Sequence, residues 1–324
     1  MKRRTFIAGL GSAAAWPVVA RAQQPAMPVI GFLNSGSPSQ FAPLVAAFKR
    51  GLSDAGFVEG RNVTVEYRWA MGQYGRLSEL AADLVSRDVN VIAASGGTSS
   101  ALAAKAATPT IPIVFIGGGD PVGDGLVTSL NRPIANVTGL TVFSVALGVK
   151  RLELLREMVP TGTVVGMLVN PAAKTSEQDI VQAAGDKVGQ QIHVLKVSND
   201  RELDKAFATI VEQRIGGLLV SGDSFFTSRR DQIVLLTTRH AIPTIFPWRE
   251  YVTGGGLLSY GTSLRHSYQE MAGYVALILK GTKTTDLPVR QPSTFEIVVN
   301  LKAARVLGLT IPYSILVRAD EVIE

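Results

Sequence analysis

Past residue 28 the chain switches repeatedly between short apolar runs and segments of helical spacing, and it does so in two blocks. Val29–Leu33 is apolar, and Pro38–Ala55 then places Phe41, Leu44, Val45, Phe48 and Leu52 on one helical face before Gly56 ends it. Val63–Trp69 alternates like a half-buried strand, Leu77–Val85 is helical, and Val89–Ala94 is an apolar run leading into an Ala-rich helix. Ile113–Ile116 is a further strand and Val122–Leu130 a further helix. A second block follows, with helices predicted over 150–159, 176–188, 203–213 and 233–239 between strands over 164–169, 192–197, 218–220 and 244–246. Such alternation implies an α/β protein with two doubly wound parallel-sheet lobes.

The C-terminal segment adds a strand over Leu257–Tyr260, an amphipathic helix over Leu264–Leu279, a strand over Phe295–Val299 and a helix over Leu301–Leu307. One extra strand–helix unit is too little for a third domain. The expectation is that the chain returns to complete the first lobe and then crosses back, giving a multi-strand hinge. The first lobe is then residues 29–140 with 258–290, and the second 141–257 with 291–324.

Residues 1–22 are read separately, as an export signal. Lys2, Arg3 and Arg4 precede a mildly apolar stretch, Phe6–Ala20, and Ala20-Arg21-Ala22 is a small-x-small cleavage site. Arg3-Arg4-Thr5-Phe6-Ile7 fits a twin-arginine signal, and a general secretory signal beginning with two arginines is the alternative. The expected compartment is the periplasm. Whole-chain charge is +6, but this segment carries four basic and no acidic residues, leaving 28 basic against 26 acidic residues, or +2, in the remainder. With no dense Lys/Arg run, a nucleic-acid surface is not indicated. The chain has no cysteine, which excludes disulfides, thiolate catalysis, Cys-ligated metal and a lipid anchor on cysteine.

In open α/β sheets ligands bind beyond the carboxyl ends of the strands. Here those ends are Asn34-Ser35-Gly36-Ser37, Ser95-Gly96-Gly97-Thr98 and Gly117-Gly118-Gly119-Asp120 in the first block. In the second they are Asn170-Pro171, Ser221-Gly222-Asp223-Ser224 and Pro247-Trp248. Each alone is an ordinary helix cap. Several lining one cleft make a binding site, because helix N-termini offer free amides to an anion and glycine admits close approach. Ser35, Ser95, Gly97, Thr98 and the amides of Gly117, Gly118 and Gly119 are candidate donors, with Asn170 at the facing strand end. Asp120 or Asp223 would meet an ammonium group, and Trp248 and Phe143 would pack an apolar part.

Catalytic and cofactor signatures are absent from the sequence. His193, His240 and His266 fall in no triad or metal spacing. There is no phosphate-loop motif, and a dinucleotide fingerprint starting at Gly117 fails at Val122. Asp120 and Asp124 are too few for a calcium loop. No metal, cofactor or enzymatic activity is therefore expected.

KRLELLREMV at Lys150–Val159, with Pro160 and the strand ending Asn170-Pro171, resembles the ABC-transporter substrate-binding protein family that includes tryptophan- and tyrosine-type binding proteins. So do IGFLNSGSP, LSDAGFVEGRNVTVEYRWA, GLLSYGTS and the C-terminal FEIVVNLKAARVLGLTIPYSILVRADEVIE. The resemblance implies a type I periplasmic-binding-protein fold whose lobes close on a ligand by hinge motion. It implies an exported, monomeric receptor that delivers a small solute, such as an amino acid or related carboxylate, to an inner-membrane ABC permease. It also implies ligand loops after the third and fourth strands, here Ser95–Thr98 and Gly117–Asp120, with Asp223 as the acidic group of the second lobe. A ligand sensor for a membrane signalling protein would share this chemistry, and a secreted enzyme on the same scaffold is the third reading.

Overall fold

The computed structural model describes residues 27–133, 135–173 and 176–324, so the export signal read over residues 1–22 lies outside the described residues. The first block forms β1 (Val29–Asn34), α1 (Pro38–Asp54), β2 (Thr64–Trp69), α2 (Leu77–Ser86), β3 (Val91–Ser95), α3 (Thr98–Ala107), β4 (Ile113–Gly117) and β5 (Val137–Thr141). The strands make a parallel sheet of order β2-β1-β3-β4-β5. β3 and β4 are buried along their whole length, as expected of strands covered by helices on both faces. Each large apolar side chain buried there contributes about 1.5–3 kcal/mol.

The second block forms α4 (Ser144–Met158), β6 (Val165–Val169), α5 (Glu177–Lys187), β7 (Ile192–Lys196), α6 (Asp200–Glu212), β8 (Gly217–Val220), α7 (Ser224–Ser228), α8 (Arg230–Arg239), β9 (Thr244–Phe246) and α9 (Arg249–Thr253). Then come β10 (Leu258–Gly261), α10 (Leu264–Leu279), β11 (Glu296–Asn300), α11 (Leu301–Val306), α12 (Tyr313–Leu316) and β12 (Glu321–Ile323). The second sheet has the order β12-β11-β10-β9-β8-β6-β7, with β10 and β11 its one antiparallel pair.

Besides the short α7, α9, α12 and β12, which the sequence reading lacks, three features differ from it. Residues 122–130 form turns and not a helix. Gly123 and Gly125 interrupt the segment, Gly125 has φ +72°, and Asp120 Oδ1 accepts from Val122 N. β5 has no counterpart in the sequence reading. It fits against β4 because Gly139 lets the backbone reach the main chain of Phe115, where a Cβ would lie 2.2 Å from Phe115 O.

The third difference concerns the returning strand. β10 joins the second sheet, paired with β9 through Leu258↔Ile245 and with β11 through Leu258↔Val299. α9 is so short that the chain re-enters the same sheet beside β9. Only α10, beginning at Leu264, crosses to the first sheet, where it packs on α1, β3 and β4. Gly51 of α1 makes that approach possible, because a Cβ there would lie 2.6 Å from Gln269 O.

The chain therefore passes between the lobes at Val142–Phe143, at Thr262–Ser263 and along the segment leading to β11. This last segment runs beside β5, with Arg290 N donating to Gly139 O and Thr141 N to Arg290 O. Phe143 sits in the left-handed region at φ 47°, immediately before α4. No helix among the described residues is long and apolar enough to cross a membrane.

Candidate functional site

The carboxyl ends of β3 and β4 in the first sheet face the ends of β8 and β9 in the second across a shared cavity. On the first-lobe side, Gly96 and Gly97 have φ of +79° and +110°, a bend that residues with side chains rarely adopt. A Cβ on Gly96 would meet Ser35 Oγ at 2.7 Å and Asn34 Oδ1 at 2.8 Å. The bend delivers the chain into α3 with Gly97 at the cap position and no side chain capping the helix. No side chain thus satisfies the first amides of α3, whose Gly97, Thr98 and Ser99 lie in the cavity wall. Gly117, Gly118 and Gly119 form the adjoining wall.

On the second-lobe side, Asp223 caps α7, its Oδ1 accepting from Phe225 N at 2.9 Å and Asn170 Nδ2 at 3.0 Å. Its Oδ2 accepts from the hydroxyl of Tyr74, a first-lobe residue. The same hydroxyl lies 2.9 Å from Ser224 Oγ, which also meets Ser35 Oγ at 2.5 Å. Burial raises the Asp223 pKa, and the donors from Tyr74, Asn170 and the α7 amides offset part of that rise. Burial and the neighbouring carboxylate push the Tyr74 phenol well above its ordinary value.

Aromatic and aliphatic groups complete the cavity: Phe41, Tyr74, Ile116, Val142, Val145, Trp248, Leu264 and Tyr268. Trp248 follows β9 and is nearly buried, its ring edge packed over Gly222 and Gly261. The Tyr268 hydroxyl is 3.4 Å from Asn34 Nδ2, which also donates to Ser95 Oγ at 2.9 Å. Among the described residues lining the cavity there is no Lys, Arg or His, and Asp223 is the single acidic one. An anionic group would be received by amides and hydroxyls, and a cationic group by Asp223. No cluster of three metal-ligating side chains occurs among the described residues.

Of the residues singled out from the sequence, Gly97, Thr98, Gly117, Gly118, Gly119, Asp223 and Trp248 line the cavity. Ser35, Ser95 and Asn170 lie behind the wall: Ser35 bonds Ser224 and Asn170 bonds Asp223, both in the lining, while Ser95 accepts from Asn34. Asp120 is exposed and closes a turn with Val122 N, outside the lining. Phe143 is also outside it, and its neighbours Val142 and Val145 take the place expected for its side chain.

Tyr74, Tyr268, Ser224 and Thr227 are in the wall without having been singled out. Ser224 belongs to a strand end already marked as ligand-facing. Tyr268 falls on the apolar stripe of a long helix, where an aromatic reads as core, and Tyr74 sits in a single 3₁₀ turn with no periodicity to read.

A family model described as ABC transporter substrate binding protein matches residues 37–323. A tyrosine-binding protein from Clostridioides difficile is 28% identical over 269 residues, covering 81% of this chain and 75% of the relative. Among solved structures, a conserved domain protein from Vibrio cholerae is 27% identical with a TM-score of 0.83 over 91% of this chain and 99% of its own. An ABC domain in complex with L-Trp from Streptococcus pneumonia gives 24% identity and a TM-score of 0.81 over the same shares. A ligand-free, open substrate-binding protein with adhesive properties from Clostridium difficile is 25% identical over the same shares, with a TM-score of 0.61.

Proposed function

The chain belongs to the ABC transporter substrate-binding protein family, and from that premise we propose that it is the exported solute receptor of an ABC importer, closing its two lobes over an aromatic amino acid or a closely related carboxylate. The observation that carries this reading is the cavity itself. It sets the uncapped start of α3 in one lobe against the Asp223 carboxylate in the other, with aromatic walls between them.

In this reading the ligand carboxylate is received by the α3 amides, the Thr98 and Ser99 hydroxyls and the Gly117–Gly119 backbone. The ammonium group meets Asp223, which retains acceptor capacity beyond its protein donors. The apolar side chain packs between Trp248, Tyr268 and Phe41. Closure follows because Asp223 and Trp248 reach the ligand only when the second lobe is in place, and a ligand shifts the lobes by its preference for that state. The relatives bearing tyrosine and tryptophan in their descriptions support the ligand class. The lower overlap with the ligand-free, open relative than with the Vibrio protein, at similar identity, supports lobes that move as bodies. Export by the signal over residues 1–22 would place the receptor outside the cytoplasm, where it works as a monomer with the membrane permease.

A thermal-shift screen with the aromatic amino acids and their des-amino carboxylates tests the proposal. A true ligand at a hundredfold excess over its Kd stabilises the protein by about 2.7 kcal/mol. No shift with any amino acid or small carboxylate, in protein refolded free of bound ligand, would sink it.

A further inference from the structure

The first crossing between the lobes carries a contact that the ligand reading does not use. Ser144, the first residue of α4, is buried between one glycine from each ligand-side loop. A Cβ on Gly118 of the first lobe would lie 3.2 Å from Ser144 Cβ. A Cβ on Gly222 of the second lobe would lie 1.8 Å from Ser144 Oγ. Both loops thus rest on the same residue; at Gly222 the contact needs glycine, and at Gly118 a Cβ would push Ser144 by a few tenths of an ångström.

Each loop is also tied to this crossing by hydrogen bonds. On the first-lobe side, Val142 N donates to Gly117 O at 2.9 Å and Val145 N to Gly118 O at 3.2 Å. On the second-lobe side the tie runs through two buried charges. Arg151 Nη2 donates to Ser144 O at 2.6 Å and to Glu177 Oε1 at 2.5 Å, and Glu177 Oε2 accepts from Gly222 N at 3.2 Å. Arg151 Nη1 also reaches Tyr260 O, at 3.3 Å, just ahead of the second crossing. Arg151 and Glu177 are essentially inaccessible to solvent. Replacing such a pair by apolar side chains is often neutral or stabilising, so stability alone is a weak reason for it to be here.

We infer that Ser144 is the fulcrum between the two ligand-side loops, and that Arg151 and Glu177 are positioning residues that couple the Gly222 loop to the interlobe crossings. The coupling has a use only if the lobes move over a ligand, so it rests on the proposed function. A planar guanidinium is needed because one group must serve Ser144 O, Tyr260 O and Glu177 together, which a single ammonium does not reproduce.

Hydrogen exchange on the unliganded protein tests this. In Arg151→Lys the amides of Val145 and Gly222 are expected to exchange about tenfold faster together, the size expected for losing a buried charge-assisted hydrogen bond. Amides of β1 and β7 keep their wild-type rates. Glu177→Gln, which retains an acceptor for Gly222 N, is expected to accelerate Val145 as well, through Arg151 and Ser144. Wild-type rates at Val145 and Gly222 in both variants overturn the inference, as does uniform acceleration throughout the second lobe. A titration of wild type and variants with tryptophan and tyrosine separates the two readings. If wild type binds neither, the proposed ligand class fails while the exchange result still decides the coupling.

Discussion

The Tyr74 hydroxyl, carried by the first lobe, donates to the Asp223 carboxylate of the second, across 149 residues of sequence. The pair bridges the lobes within the cavity wall. Tyr74→Phe leaves a buried carboxylate oxygen without this donor, which costs about 1–3 kcal/mol. Its effect is expected as weaker ligand binding through faster dissociation, read by stopped-flow fluorescence. An unchanged dissociation rate would show that the bridge does not hold the lobes together over the ligand.

Asp120 and Asp223 are expected to behave oppositely. Asp120 is exposed and accepts one turn amide, so Asp120→Ala is expected to cost about 1 kcal/mol or less and to leave ligand affinity intact. Asp223→Asn removes the only cavity-lining charge among the described residues. It is expected to weaken an amino acid roughly tenfold or more, and the matching carboxylic acid without its amino group far less. Calorimetry with the two ligands checks this, and equal losses for both would mean that Asp223 does not meet the ammonium.

Gly222→Ala places a methyl group 1.8 Å from Ser144 Oγ and 2.8 Å from its Cβ, and the neighbour is the backbone-fixed start of a helix. The expected cost is about 1–3 kcal/mol, the usual penalty of overpacking. Adding Ser144→Gly removes both clashing atoms and is expected to recover most of the loss in a denaturant titration. A double variant as unstable as Gly222→Ala alone would refute this contact as the cause.

Alkaline stability follows from the buried phenols. Tyr74, Tyr251 and Tyr268 all have pKa values raised above the ordinary 10.0, burial being the largest cause in each case. Above pH 10 the unfolded chain loses these protons and the native state keeps them. The native state then binds more protons, so stability falls as pH rises. The phenolate absorbance of these residues is expected to appear only with unfolding. Early, reversible ionisation of all seven tyrosines would contradict their burial.

Local pattern carried most of the fold. Helical spacing over Pro38–Asp54 and Leu264–Leu279, and the apolar runs that became β1, β3 and β4, depend on residues a few positions apart. The Gly-rich strand ends could be read as cavity wall for the same reason, because a parallel sheet puts those ends on one edge. The turns at 122–130 have the spacing of a helix because Leu126 and Val127 are buried without being helical. There, spacing reported burial and not conformation.

Two α/β lobes, strand ends on the edge that faces the cavity, and seven residues of its wall follow from local pattern alone. Which sheet β10 joins is set by packing, since it depends on pairing with β9 and β11 and not on anything within Leu258–Gly261. The tertiary structure also decided that Asp120 closes a turn, that Tyr74 reaches Asp223, and that Ser144 is seated between Gly118 and Gly222. Each of these is a contact between residues brought together by the packing of whole elements. Such contacts leave no periodicity in the chain, because the side chains that meet are set by the relative placement of two sheets.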